Sequence, residues 1–320
     1  MTDNIIVPVE LHGLRVDAAL AQLIPEYSRS QLTTWLKQGK ITVDSRIPKP
    51  KEKVCGGESI QVNVDFNALE SKLEHCLAEN IPLNIVYEDD YILIINKPAG
   101  LVVHPGAGNS EHTLVNALLY HAPTLEQLPR AGIVHRLDKE TTGLLIIAKT
   151  LATHTNLTRQ MQERAIERNY ITLVQGHLIA SGEIDTCYGR HPRNRLKMAV
   201  CTQGREAITH YFVRKQYQTY TLLDVKLLTG RTHQIRVHMA HINHPVVGDP
   251  LYGGRSRFPE NASDELLQCL QQFKRQALHA KTLAFTHPES QEPLTFEAPL
   301  PDDFQHLLDA LDLHHALSSS

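Results

Sequence analysis

The longest uninterrupted apolar stretches of this chain, such as residues 91–95 and 144–148, are only five residues long. Runs that short cannot cross a bilayer, which takes about 20 apolar residues in a helix. They have the length of buried strands, and segments with helical apolar spacing stand between them. Residues 83–87 and 91–96 flank Glu88-Asp89-Asp90 and predict a β-hairpin. Lys97-Pro98-Ala99-Gly100 then turns the chain. Helices are expected over 113–121 and 150–166, with a buried strand over 143–148 between them. Strands follow over 169–176, 207–217 and 220–227, then helices over 231–242 and 263–273. Strands near 278–286 and 294–298 close the series, and residues 316–320 read as a frayed tail. Many strands with interspersed helices give an α+β class built on a mixed sheet. No internal repeat is visible.

The first 65 residues read as a separate, smaller unit. Residues 16–23 and 30–36 have helical apolar spacing, with Ser28 as N-cap of the second helix. Residues 41–43 and 59–64 read as strands, joined by a basic, proline-containing loop over 46–53 and by Gly56-Gly57. Residues 66–80 are polar and mixed, which suits a linker, so the expected domains are 1–75 and 76–320. The N-terminus lacks the basic region and long apolar core of a signal peptide. Five scattered cysteines form no C-x-x-C pair, and a reduced cytoplasmic compartment is the expectation.

The formal charge of −3 does not advertise a polyanion partner, but it is an average over uneven segments. Residues 130–236 carry 17 basic and 8 acidic groups, whereas residues 237–320 carry 5 and 11. A second basic stretch, residues 29–53, holds seven Lys/Arg, among them Arg29, Lys37 and Lys40, against Asp44 and Glu52. If each stretch folds onto one face, a polyanion can bind there; solvated faces balanced by acidic neighbours fit the same counts.

Two segments inside the basic span carry candidate chemistry. Residues 132–145 place Asp138 in a polar turn between apolar runs, flanked by Arg136 and Lys139. Such cations favour an ionised carboxylate, although an Asp in a turn also serves by bonding its own backbone. Residues 228–238 combine Arg231 and Arg236 with Thr232, His233 and Gln234. If this segment is helical, Arg236 lies near the face of Thr232 and His233, and Arg231 stands near a helix start that favours anions. Tyr170 alone reads as an ordinary strand aromatic. His233, His238, His241 and His244 form a His-rich run, but no Cys or Glu stands at a supporting spacing, so no metal site is expected.

The N-terminal unit resembles an S4 RNA-binding domain. The matching features are Val16-Asp17, Ser28-Arg29, Gly39-Lys40-Ile41-Thr42-Val43 and Gly57-Glu58-Ser59-Ile60. In that family the basic helix and the following loop grip RNA backbone. The remainder resembles the RluA-type pseudouridine synthases. The resemblance rests on His135-Arg136-Leu137-Asp138, on Glu167-Arg168-Asn169-Tyr170 through Gly176, on the segment from Gly230 to His238, and on Gly248-Asp249 with Tyr252-Gly253.

The resemblance implies a mixed-sheet catalytic domain that turns uridines in RNA into pseudouridine. It makes Asp138 the nucleophile, Tyr170 the ring that stacks on the base and helps remove a proton, and Arg236 the partner of the aspartate. Arg136 would fill the space left by the flipped nucleotide. His135, Arg231, Thr232, His233, Gln234, Arg29, Lys37 and Lys40 are expected to contact RNA. The implied partner is large-subunit (23S) ribosomal RNA at the stem-loop called helix 69, with no cofactor and a monomeric enzyme. Another rRNA site, tRNA, a hydrolase releasing uracil and a non-catalytic ribosome-assembly factor are the alternatives. The residue types suit the reaction. Glycosidases need two carboxylates because water must be activated, whereas here the base stays bound and one carboxylate with an arginine can suffice. Extracting a uridine costs a few kcal/mol of unstacking, which favours loops.

Overall fold

The computed structural model describes residues 3–24, 29–62, 76–105, 111–194, 196–202, 204–255 and 257–318. The chain divides into two compact units, Met1–His75 and Cys76–Ser320.

In the first unit, helices α1 (Val16–Leu23) and α2 (Arg29–Lys37) pack beside a three-stranded antiparallel sheet. The strands are β1 (Asp3–Ile6), β2 (Ile41–Val43) and β3 (Ser59–Val62), in the order β1-β3-β2. Val16, Ala19 and Leu20 of α1 meet Leu32, Trp35 and Leu36 of α2 over Ile41, Val43, Ile60 and Val62. The three- and four-residue spacings put each helical set on one stripe, which is what makes these short helices stable. Strand β1 was not foreseen from the sequence; it pairs β3 from Asp3↔Val62 to Ile6↔Ser59. Ser28 and the greater part of the linker lie outside the described residues.

The second unit is a ten-stranded mixed sheet. Its strands are β4 (Ile85–Glu88), β5 (Ile92–Lys97), β6 (Thr142–Ala148), β7 (Glu167–Gln175), β8 (Gly182–Arg190), β9 (Met198–Val200), β10 (Arg205–Gln216), β11 (Tyr220–Leu227), β12 (Leu278–Thr286) and β13 (Pro293–Glu297). They run in the order β4-β5-β6-β12-β7-β11-β10-β8-β9, with β13 on β12. The β6–β12 pair is parallel and the others are antiparallel. Strand β6 is buried on both faces, which explains its unbroken apolar sequence.

Helices α3 (Leu114–His121), α4 (Leu151–Gln162), α5 (Gln234–His241), α6 (Asp264–Gln272) and α7 (Asp302–Ser318) complete the unit. Thr113 and Thr150 cap α3 and α4 through their hydroxyls. Two expectations are corrected. Residues 316–318 belong to α7 rather than to a frayed tail. The helix expected over 231–242 begins only at Gln234, because His233 takes a left-handed φ of 59°. Among the described residues no helix is long and apolar enough to cross a membrane.

Candidate active site

Asp138 stands in the loop that leads into β6. The chain approaches through an isolated bridge between Ile133 and Ile147, and the Ile146 N–H donates to His135 Nε2 at 3.2 Å. The segment therefore runs along β6 before it turns back into it. The Thr141 N–H closes that turn on the Asp138 carbonyl at 3.1 Å. From the end of β5, the Lys97 ammonium donates to the carbonyls of Lys139 at 2.8 Å, Pro98 at 2.7 Å and Leu101 at 3.0 Å. One buried cation thus ties the 98–101 turn to the loop that carries Asp138.

Arg236 comes from α5, a helix buried over Gln234–Met239. Gln234 fixes its start: Oε1 accepts from the Thr229 hydroxyl at 2.8 Å and the Arg231 N–H at 2.9 Å. Its Nε2 donates to the Ile208 carbonyl at 3.0 Å and to Thr209 Oγ1 at 2.9 Å. His238, one turn on, lies 2.9 Å from Thr209 Oγ1 and 3.1 Å from Thr186 Oγ1. The start and the middle of α5 are thereby fastened to the sheet.

Arg236 then bridges two carboxylates. Nη1 donates to Asp138 Oδ2 at 2.9 Å, while Nε and Nη2 hold Asp249 at 2.7 and 2.9 Å. Asp249 also accepts from the backbone N–H groups of Leu251 and Tyr252. Burial opposes the Arg236 charge, but the Asp249 and Asp138 interactions outweigh it and raise the pKa above the usual arginine value. Burial likewise works against the Asp249 carboxylate, and the Arg236 bonds hold it below the ordinary range. The fork of Arg236 is spent on Asp249, so its remaining Nη1 is aimed rather than mobile.

Two aromatic residues border the pair. Arg236 lies 5.2 Å from the Tyr252 ring centroid, and Tyr252 Oη is 2.9 Å from His233 Nδ1. His233 Nε2 stands 3.8 Å from Asp138 Oδ1, and burial depresses the His233 pKa. Tyr170 projects from β7 and is 6% exposed. It lies in register with Ala280 of β12, which is itself in register with Gly143 of β6. Burial pushes the Tyr170 phenol up, with Asp138 adding to the effect.

Several sequence expectations meet a different environment. His135 and Gln234, expected to contact RNA, are buried and turned to backbone groups of the fold. Burial lowers the His135 pKa to about 3, so it is a neutral acceptor inside the fold. Arg231 Nε donates to the Glu206 carbonyl at 3.1 Å, and the Thr232 carbonyl accepts from Tyr188 Oη at 2.6 Å. Arg136 is exposed two residues ahead of Asp138. In the first unit Lys37 is exposed and Lys40 half-buried, while the Arg29 side chain lies outside the described residues.

Lys97, Arg168 and Asp249 were given no role from sequence. Arg168 is buried beside Gly230, where a Cβ would meet its Nη1 at 2.6 Å, and its Nε has no hydrogen-bond partner among the described residues. The signal for Asp249 was its place in the Gly248-Asp249 motif; Lys97 carried no comparable sign. Within the His-rich run, His238 and His244 bond groups of the fold, His238 lying 2.9 Å from Thr209 Oγ1 and His244 2.9 Å from the Gln175 carbonyl. Among the described residues no group of three His, Cys, Asp or Glu is arranged to hold a metal ion.

Comparison with known proteins decides the family. Residues 91–241 match RNA pseudouridylate synthase and residues 14–60 match the S4 domain. Over 306 residues the chain is 52% identical to "Ribosomal large subunit pseudouridine synthase D" of Xanthomonas campestris pv. campestris, covering 96% of this chain and 91% of that protein. The chain belongs to the RNA pseudouridylate synthase family. The synthase of the same name from Escherichia coli K12 is 48% identical over 300 residues, 93% of this chain and 91% of that one. The solved structure of "Human RNA Pseudouridylate Synthase Domain Containing 1" superposes with a TM-score of 0.56 at 25% identity, covering 76% of this chain and 97% of that one. Both the α+β mixed-sheet class and the N-terminal S4 domain expected from sequence are those of this synthase family.

Proposed function

We propose that this RNA pseudouridine synthase isomerises specific uridines of large-subunit (23S) ribosomal RNA, those of helix 69 among them, with Asp138 as nucleophile. The names of the relatives in X. campestris and E. coli support the choice of RNA. The observation that carries the chemistry is the Asp138–Arg236–Asp249 chain, which leaves one carboxylate oxygen of Asp138 bonded to a fixed guanidinium and the other 3.8 Å from His233. On this reading the flipped uridine lies over Asp138 with its base against the Tyr170 ring. Stacking of that kind is worth roughly 1–3 kcal/mol per base. Asp138 attacks the nucleotide as the N1–C1′ bond breaks, the uracil rotates in place, and a C5–C1′ bond forms as Asp138 is released. The C5 proton leaves with the help of Tyr170 and N1 gains a proton, so no redox partner is needed. Arg136 occupies the gap in the RNA stack, and the S4 domain holds the backbone through Lys37 and Lys40. Acting on ribosomal RNA, the enzyme works in the cytoplasm as a monomer.

Purified protein and a 23S rRNA transcript test the reading. Wild type is expected to form pseudouridine and release no uracil. Asp138→Ala is expected to bind the transcript and form none, a loss beyond about a thousandfold for removal of a covalent nucleophile. Pseudouridine formation by Asp138→Ala would sink the assignment, and free uracil would make the protein a hydrolase.

A further inference from the structure

Cys187 and Cys201 are separated along the chain by a hairpin turn, but the fold sets them opposite each other. In the pairing of β8 with β9, Gly189 faces Ala199 and Tyr188 faces Val200. One step further, the Cys201 N–H donates to the Cys187 carbonyl at 2.9 Å. The two cysteines therefore continue the register as a directly opposed pair. Side chains alternate between the faces of a strand, and in β8 Ile184 and Tyr188 are buried while Asp185 and Cys187 are exposed. Gly189 shares the face of Cys187. A Cβ on Gly189 would stand 3.1 Å from Cys201 Sγ, so that sulfur lies over the same face as Cys187. Both residues carry thiols, Cys187 exposed and Cys201 half-buried.

Opposed, hydrogen-bonded residues of antiparallel strands have Cα atoms about 5.5 Å apart, inside the range of about 4.4–6.8 Å that a disulfide spans. Their Cβ atoms must close to about 3.8 Å, which draws the two strands together. Strand β9 is placed to make that move, because it ends the sheet order beyond β8. A bond closed against the spacing of a sheet is readily reduced again. The movement has a route to the active site. Tyr188, next to Cys187, donates its hydroxyl to the Thr232 carbonyl at 2.6 Å. From β9 the Met198 N–H donates to Tyr252 Oη at 2.8 Å, and Tyr252 contacts both His233 and Arg236.

We propose that Cys187 and Cys201 are a site of oxidative modification, joined by a peroxide into a reversible disulfide that slows the enzyme through Tyr252. The peroxide takes the exposed Cys187 thiol to a sulfenic acid and releases one water. The Cys201 thiol attacks that sulfur and releases a second. Two electrons and two protons pass from the thiols to the peroxide, and one S–S bond replaces two S–H bonds.

Mass spectrometry of the full chain, treated with hydrogen peroxide and then alkylated, tests the bond. One Cys187–Cys201 link is expected, with Cys55, Cys76 and Cys269 still alkylated, and dithiothreitol should release both thiols. Oxidation of Cys187 to sulfinic or sulfonic acid without the link, or links to the other cysteines in its place, would overturn the pair. The effect on rate rests on the functional reading above and is read as the first turnover of a 23S rRNA transcript. Linked protein should react at least about threefold more slowly, since small displacements of positioning groups are costly, and should recover in dithiothreitol. Cys187→Ser, altered only at an exposed side chain, should keep its untreated rate in peroxide. Linked protein as fast as the reduced form, or equal slowing of Cys187→Ser by peroxide, would overturn the coupling. A reduced wild type that forms no pseudouridine would defeat the functional reading, while the thiol mapping would still judge the bond.

Discussion

Lys97 has no exposed surface at all, yet it carries an ammonium group. Burial lowers its pKa to about 7, against the pull of Glu140 and Asp138. The unfolded chain keeps an ordinary lysine near 10.4, so between about pH 7 and 10.4 it binds more protons than the native state. Stability must then rise with pH over that window. Urea unfolding of wild type should show a gain on the order of 3 kcal/mol from pH 7 to 9.5, and Lys97→Met should lose it. Equal pH slopes for the two proteins would show that Lys97 does not titrate there. In the sequence Lys97 was legible only as part of a turn, because nothing in Lys-Pro-Ala-Gly reports burial. Asp138, Tyr170 and Arg236 were singled out by their motifs, and the structure adds the hydrogen bond that joins Arg236 to Asp138. His135 and Gln234 stood in the same motifs, but adjacency along a chain does not separate a side chain facing the pocket from one tied to the sheet.

At the scale of elements, Gly143 decides how β6 meets β12. Its φ is 110°, and an added Cβ would run into the Ala280 carbonyl. The close approach lies in the parallel pairing that aligns Gly143, Ala280 and Tyr170 beside the Asp138 loop. Gly143→Ala is therefore expected to cost more than about 3 kcal/mol, through strain and overpacking together. Thermal unfolding checks this, and a midpoint within two or three degrees of wild type would contradict it. Apolar periodicity revealed the strands that are buried, β5, β6, β7 and β11 among them. It missed β8 and β9 because that hairpin is edge-like, with exposed charges along β8 and Pro192 and Asn194 at its turn. It missed α7 because its acidic and His-rich face masked the apolar stripe of Phe304, Leu307, Leu308 and Leu311.

For the molecule as a whole, histidine explains more than it binds. Burial holds His104, His238 and His279 at about 4 and His135 at about 3. Each is neutral in the fold but takes up a proton below about pH 6.5 once unfolded. Their contribution is complete above that pH and is lost progressively down to the folded values, up to about 2 kcal/mol each by pH 5. The melting temperature should fall steeply from pH 6.5 to 5; a flat profile would contradict these environments.

Charge behaves similarly at this scale. A net −3 conceals a span of residues 130–236 with 17 basic and 8 acidic groups, which carries Asp138, Tyr170 and Arg236. The central claim is that this span modifies large-subunit RNA through Asp138. Pseudouridines are mapped in 23S rRNA and tRNA from cells lacking the protein, then from cells given wild type or Asp138→Asn at matched levels. Specific 23S positions should be lost in the deletion, restored by wild type and not by Asp138→Asn. Restoration by Asp138→Asn, or an unchanged 23S map in the deletion, would contradict the account.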